Sequence, residues 1–445
     1  MRDLIIIGAG PGGFDTAIHA KQHDLDVLLI EKHIVGGTCL NYGCIPTKAL
    51  YHNAKNIKNM DSLKDFGINI DNFSVDYEVI KSRKENIVSS QVKNIEFTLE
   101  KLGVEVINGE AAIVDHNTVE VSGVQYQTKN IIIATGSSPN MISFEGNHLE
   151  VVHTSKDILS LQEFPKEMTI IGAGVIGCEM ALIFNQLGAN ITLVEYADEI
   201  LPSLDKEITK RARNLFKRQG INILSNTAFK GVSKVDSSYQ VTVSQKGKDK
   251  EFSTDYVLIS TGRKPNFGNI DLESLGIEYT NKGIIVNENK QTSVPNIYAI
   301  GDVNGELMLA HKATYDGIKV VSHILNQEKD IRFDLVPSVV FTFPEIASVG
   351  KTEEELVGTN YKKNKFMFIT NAKAQCLNET EGFVKVLTDG EGYLKGVHII
   401  GPHASDLIHE ATALLHYNGK IEDIKNIIHA HPTITEVLSE CFKGL

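Results

Sequence analysis

Cysteine is scarce, with five in 445 residues. So few cannot staple a disulfide scaffold, and an odd count leaves at least one thiol unpaired. Any disulfide here is expected to be catalytic rather than structural, in a cytoplasmic setting. Positive charge is also short: 44 Lys and Arg face 56 Asp and Glu, a net charge of −12. That excludes the basic face that nucleic acid requires. No apolar run reaches the ~18 residues that a membrane span needs. Leu4-Ile5-Ile6-Ile7 runs into a Gly-rich turn with no small-residue cleavage site, which predicts a strand and not a signal peptide. Low-complexity and linker-like stretches are missing too. At roughly 150 residues per domain, the length calls for about three packed domains.

What is present is a partial internal copy. Residues 4–13 read Leu-Ile-Ile-Ile-Gly-Ala-Gly-Pro-Gly-Gly, and residues 168–177 read Met-Thr-Ile-Ile-Gly-Ala-Gly-Val-Ile-Gly. Gly8, Gly10 and Gly13 match Gly172, Gly174 and Gly177 one for one. The interval to a terminal acid is the same, Gly8 to Glu31 and Gly172 to Glu195. Each unit follows a β-branched strand, opens a helix and ends on a carboxylate. The first glycine permits a tight turn, the second a close approach of backbone to pyrophosphate, the third close helix–strand packing. The helix N-terminus offers free N–H groups and partial positive charge to phosphates. The acid is placed to accept ribose hydroxyls. A glycine turn that binds nothing is the bland alternative, and the repetition argues against it.

The second unit carries a preference. Tyr196-Ala197-Asp198-Glu199 follows Glu195, with no cation for a 2′-phosphate. That predicts NAD(H) over NADP(H).

Helical periodicity covers 47–66 and 79–102. Strands are expected near 104–106, 119–121 and 131–133, the last closed by Ala134-Thr135-Gly136. Val257-Leu258-Ile259-Ser260 closes in Thr261-Gly262-Arg263 at the matching place in the second half, and 294–302, from Val294-Pro295-Asn296, reads as another strand ending in Gly301-Asp302. From about Phe333 no fingerprint recurs. Strands at 338–343, 383–388 and 395–400 and helices at 405–417 and 421–428 predict a separate α+β domain. The expected fold class is α/β: two Rossmann-like dinucleotide-binding domains plus a separate α+β domain. The segments are 1–142 with the first fingerprint, 143–265 for NAD, 266–332, and 333–445.

Chemistry is concentrated at Gly-Gly-Thr-Cys-Leu-Asn-Tyr-Gly-Cys-Ile-Pro-Thr-Lys, residues 36–48. The spacing of Cys39 and Cys44 is not that of a zinc pair, and no second pair exists to complete such a site, so no metal is expected. Asn41, Tyr42 and Gly43 can curl at a helix start and bring the sulfurs together. A thiolate near a helix N-terminus, with Lys48 one turn on, has a lowered pKa. These are conditions for a reversible disulfide. Two buried apolar cysteines are the alternative, weakened by the cofactor unit just before them.

This stretch resembles the redox segment of the flavin-dependent pyridine nucleotide–disulfide oxidoreductases, most closely their dihydrolipoamide dehydrogenase branch. The likeness spans the chain: 8–13, 36–50, 134–136, 172–177, 291–313, the Gly-Phe-Val-Lys at 382–385, and His429-Ala430-His431-Pro432-Thr433 with Glu436. It implies FAD at the first unit, NAD at the second, a return of 266–332 to the first domain, and 333–445 as an α+β dimerisation domain that forms the interface. It makes Cys39 the interchange thiol and Cys44 the thiol beside the flavin. Lys48 and Glu179 become an ion pair near the reacting flavin nitrogen. Asp302 holds the ribityl chain, and Ala310 and His311 pack backbone against the flavin. His431 and Glu436 become a proton-shuttling dyad that reaches the other subunit's disulfide in a homodimer, and His431–Pro432 a cis bond. The substrate implied is a lipoyl-bearing protein or free dihydrolipoamide.

Most histidines before proline are only loop residues, and the resemblance is what raises His431 above them. His398, His403, His409, His416 and His429 show no acid at useful spacing. Two departures stand out. Phe343 precedes Pro-Glu where family dehydrogenases commonly have histidine, and the sequence stops nine residues after Glu436. A short tail is expected to widen the disulfide mouth or shift lipoyl-domain docking. The competing readings are an NADH-dependent reductase of another small disulfide and a non-catalytic flavoprotein partner in a lipoyl complex. Loss of Cys39, Cys44, His431 or Glu436 would favour the latter; all four are present.

Overall fold

Leu4 to Ile7 show how this sequence builds a sheet. They lie buried in the strand Arg2–Ile7. Ile5 and Ile7 pack on one face with Leu28, Ile30, Ile131 and Ile133. Leu4 and Ile6 pack on the other with Val27, Leu29 and Ile132. Side chains of a strand alternate between faces. A parallel strand covered on both sides therefore needs an unbroken apolar run.

The computed structural model describes residues 1–60 and 62–445. They divide into two compact units. The first comprises 1–49, 77–140 and 262–331. Its sheet runs in the order Glu105–Asn108, Val27–Glu31, Arg2–Ile7, Val124–Ile133, Thr118–Val121, Ala111–Asp115, with Ile297–Ala299 also paired to Val124–Ile133. The strands through Arg2–Ile7 pair parallel, and the last three form an antiparallel meander. Helices Pro11–Lys21 and Ala310–Ile324 pack together, and Thr314 Oγ1 donates to Asp15 at 2.6 Å.

The second unit comprises 50–76, 141–261 and 332–445. It holds a parallel sheet ordered Asn222–Leu224, Asn190–Val194, Glu167–Ile171, Tyr256–Ile259, Val152–His153, and a three-stranded meander over 227–254. A five-stranded antiparallel sheet follows, ordered Ser338–Val340, Glu345–Gly350, Leu394–Gly401, Phe383–Asp389, Tyr361–Met367. Val384, Val386, Val397 and Ile399 of that sheet pack against Leu407, Ile408 and Ala411 of helix Ala404–His416. Val437, Leu438 and Phe442 of helix Glu436–Lys443 join the same core.

Several boundaries differ from the sequence reading. The helix expected over 47–66 runs Cys44–Met60, then a short turn Leu63–Phe66; Asp61 lies outside the described residues. The strand expected over 338–343 stops at Val340, where the Thr342 N–H turns back to the Val340 carbonyl. The helix expected over 421–428 is the single turn Ile421–Ile424. Ile427 and Ile428, whose spacing suggested a continuation, are exposed. The sequence did not announce Tyr361–Met367, an edge strand whose charged side chains are usual at a sheet edge.

Candidate active site

Both glycine fingerprints build the same cradle. Gly8, at φ +106°, ends the first strand, and a Cβ there would collide with the Ala134 carbonyl. Gly172, at φ +99°, meets the Ser260 carbonyl in the same way. The middle glycines cap the helices that follow. A Cβ on Gly10 would meet only Gly37 Cα at 4.0 Å, and one on Gly174 nothing within 4 Å. That open space lies over free helix N–H groups, which suits a pyrophosphate. The terminal acids repeat as well. Glu31 accepts from the N–H of Ala9 and of His33, both at 2.8 Å. Glu195 accepts from Ala173 at 2.6 Å and Ala197 at 2.7 Å. Each carboxylate is thus tied to its own glycine turn, and each oxygen keeps a lone pair for a ribose hydroxyl. The residues fit two dinucleotides.

The other residues expected at the flavin and nicotinamide lie in the first unit. Thr135 Oγ1 donates to the Asn266 carbonyl, while Gly136 and Gly262 turn at φ +71° and +102°. Asp302 sits in the single turn Gly301–Asn304. Its carboxylate accepts from Ser137 Oγ, and Arg263 Nε stands 3.8 Å away. Ala310 is the first residue of helix Ala310–Ile324.

Cys39 and Cys44 are bridged, with Cα atoms 4.7 Å apart. Cys39 lies in the short helix Gly37–Tyr42; Gly43 breaks it, and Cys44 opens the helix Cys44–Met60. Asn41 fixes the loop by donating to the carbonyls of Val35 at 3.1 Å and Gly37 at 3.0 Å. Gly36 N–H bonds the Ala9 carbonyl at 2.8 Å. At Gly37 a Cβ would stand 2.6 Å from Gly10 Cα. The disulfide loop is thereby docked on the first fingerprint turn. Once reduced, the Cys44 sulfur lies at a helix N-terminus, which favours the thiolate.

His431 Nδ1 meets Glu436 Oε1 at 3.0 Å. Glu436 also accepts from the Thr433 N–H at 2.9 Å. That backbone bond first, and then His431, hold its carboxyl below the usual range. His431 is 74% exposed at its side chain. Its bond to Pro432 is cis.

The expectation that no other histidine has an acid is wrong. His429 Nε2 lies 2.8 Å from Glu410 Oε1, and His403 Nδ1 lies 3.7 Å from Asp406 Oδ2. The first pairing joins residues 19 apart, so no local spacing announces it. His398 is buried between Ser348 Oγ and the Lys351 carbonyl. No group of three or more His, Cys, Asp or Glu able to hold a metal occurs among the described residues.

Lys48 lies in the first unit and Glu179 in the second. Glu179 is buried in helix Val175–Gln186 and accepts from the Phe341 N–H at 2.9 Å. A cation that the local sequence did not reveal is Arg213, whose Nη1 is 3.1 Å from Glu199 Oε2. Helix Lys206–Arg218 brings it there, and Glu199 matches its charge.

Two dinucleotide cradles with a bridged cysteine pair against one of them define an oxidoreductase that handles thiols. Residues 2–317 match the family model of the pyridine nucleotide-disulphide oxidoreductases, and residues 336–441 that of the same family's dimerisation domain. The chain is 39% identical to dihydrolipoyl dehydrogenase 1, mitochondrial, of Arabidopsis thaliana, over 98% of this chain and 89% of that one. It is 39% identical to the dihydrolipoyl dehydrogenase of Bacillus subtilis (strain 168), over 98% and 95%. The HOCl-induced flavoprotein disulfide reductase RclA from Escherichia coli superposes with a TM-score of 0.89 at 26% identity, covering 99% of both chains. The chain belongs to the pyridine nucleotide-disulphide oxidoreductases. It is a flavoprotein disulfide oxidoreductase with FAD and NAD(H) as cofactors. No helix among the described residues is long and apolar enough to cross a membrane.

Proposed function

We propose that the chain oxidises a free or protein-bound dihydrolipoyl group with NAD+ as acceptor, reversibly, through FAD and the Cys39–Cys44 disulfide. The observation that carries this reading is the bridged pair at a helix start, docked on the first fingerprint turn. The lipoyl substrate comes from the relatives named dihydrolipoyl dehydrogenase.

One substrate thiol gives its proton to His431 Nε2, and Glu436 stabilises the imidazolium. The thiolate attacks Cys39 Sγ. The Cys39–Cys44 bond breaks and Cys44 leaves as thiolate. The second substrate thiol gives its proton to the leaving Cys39 and, as thiolate, attacks the substrate sulfur of the mixed disulfide, so that Cys39 departs as thiol. The substrate has lost two electrons to the cysteine pair, and two protons have passed to the protein. FAD and NAD+, when bound, supply the hydride chemistry that reoxidises the pair. Lys48 and Glu179 are proposed as the charge pair beside the flavin.

The active unit is proposed as a cytoplasmic homodimer. A dimerisation domain at 336–441 and the solvent-facing His431 support action on the partner's disulfide. The segment division 1–142, 143–265, 266–332 and 333–445 is part of the same proposal.

Steady-state rates test it. NAD+ with dihydrolipoamide should exceed NADPH with glutathione disulfide by orders of magnitude in kcat/KM. The reverse order would end the reading. The likeness to RclA, a flavoprotein disulfide reductase, favours a second reading, an NADH-dependent reductase of another small disulfide. That reading requires NADH-driven reduction of such a disulfide to outpace lipoamide reduction.

A further inference from the structure

The turn Gly301–Asn304 that carries Asp302 is held from inside the first unit. Asp316, wholly buried on helix Ala310–Ile324, accepts on Oδ2 from the Gly301 N–H at 3.0 Å. The same oxygen faces Asn304 Nδ2 at 3.3 Å and Lys312 Nζ at 2.7 Å. One carboxylate oxygen therefore grips both ends of the four-residue turn. Lys312, also buried, reaches Asn304 Oδ1 at 3.3 Å and Glu306 at 2.6 Å. A second buried lysine, Lys290, bonds Glu306 at 2.7 Å and stands 3.6 Å from Asp316 Oδ1. That oxygen makes no hydrogen bond.

Two buried cations and two acids thus surround one short turn. Buried charges are costly unless each is paired, so such a cluster is intolerant of losing a member. Burial pushes the Asp316 carboxyl up, against the pull of Lys312 and Lys290. Glu306 is held down, because its bonds to the two lysines outweigh its own burial. On the outer side Asp302 meets Ser137 and Arg263, and Arg263 donates to Ser137 Oγ at 2.7 Å.

We propose that the buried Asp316, Lys290 and Lys312, closed from outside by the exposed Glu306, form an anchor that positions Asp302, and that Asp316 is a positioning residue for flavin retention. The proposal rests on the reading of Asp302 as a flavin-binding acid. Lys312 and Lys290 balance the Asp316 charge, and its effect on Asp302 passes through Gly301 and Asn304.

The experiment measures flavin release by fluorescence on dilution of the holoenzyme. It compares wild type, Asp316→Ala, Asp316→Asn, Asp302→Asn and Lys385→Met. The last breaks a buried ion cluster of the second unit (Lys385 with Asp205 and Glu353) and controls for general destabilisation. Asp316→Ala should speed flavin loss at least tenfold. Asp316→Asn, which keeps an acceptor for Gly301, should fall between it and wild type, and serves alone if the alanine variant does not fold. Lys385→Met should change release less than twofold. If Asp302→Asn loses flavin while both Asp316 variants hold it as wild type does, the anchor is refuted and the Asp302 reading stands. Wild-type retention by Asp302→Asn refutes that reading itself. Equal loss from Lys385→Met and Asp316→Ala also refutes the anchor, since stability alone would then explain the effect.

Discussion

Phe343 stacks face to face on Tyr51, with ring centroids 4.7 Å apart and planes 6° from parallel. Both rings are buried. Tyr51 OH lies 3.3 Å from Glu345 Oε1 and 3.2 Å from the Thr342 carbonyl, and Glu345 Oε2 accepts from Ser405 N–H and Oγ. Burial first, then Glu345, push the phenol's pKa up, so it stays a neutral donor. The phenylalanine that replaces the family's usual histidine is therefore a packing residue with a defined partner. A large aromatic removed from such a site costs roughly 3–5 kcal/mol. Phe343→Ala should lower the unfolding free energy by that amount, read from denaturant melts. Tyr51→Phe, which loses only hydrogen bonds, should cost about 1 kcal/mol. Equal costs for the two would refute the stack as the main contributor.

Lys385 is wholly buried and faces Asp205 at 2.9 Å, Glu353 at 2.5 Å and Glu207 at 3.3 Å. Burial raises the Glu353 carboxyl, but bonds from Lys363, Lys385 and Tyr361 outweigh it and hold the group down at about 2. A carboxyl lowered on folding adds stability above its unfolded pKa and loses it as pH falls toward the folded value. Acid should therefore erode stability between roughly pH 4.5 and 2. Glu353→Gln should flatten that slope, read from urea midpoints across the window. Lys385→Met leaves buried acids unpaired and should cost about 3–5 kcal/mol at neutral pH.

Two-electron reduction should give long-wavelength absorbance from the Cys44 thiolate beside oxidised flavin. Cys44→Ser should abolish it. Cys39→Ser should show it without reductant, because Cys44 is then free at its helix start. The opposite pattern in absorbance spectra would exchange the two roles.

NADH should be preferred to NADPH. Glu195 is fixed by two backbone N–H groups and cannot swing away cheaply, and Arg213 is occupied by Glu199. Rejecting a 2′-phosphate should be worth on the order of 2 kcal/mol or more. Equal kcat/KM for the two cofactors would remove Glu195 from that role.

The parts of this molecule written in local patterns were readable from sequence. Both fingerprints, the cysteine loop and the strand-end glycines depend on residues a few positions apart. Their geometry follows from backbone freedom and strand alternation. Long-range pairings were not readable. Glu410 reaches His429 across 19 residues, and Tyr51 reaches Phe343 from a distant helix. The Asp316 cluster draws on Lys290, Glu306 and Lys312, each of which reads alone as an ordinary surface charge. Ile427 and Ile428 misled in the other direction, since their spacing is helical but nothing buries them.

The proposed role of His431 depends on a second subunit. Its ring is exposed, with Glu436 behind it and the Thr433 N–H bracing that carboxylate. As a base so exposed it would act on groups brought to it, here the partner's disulfide. Cys39→Ser and His431→Ala should each be nearly inactive as homodimers. In a mixed dimer one site carries both lesions and the other carries neither. Subunit exchange between the two inactive proteins should therefore restore up to half of wild-type activity per mixed dimer. Exchange is followed independently with distinguishable affinity tags. Exchange without recovered turnover would place His431 and its disulfide in the same chain and overturn the dimeric site.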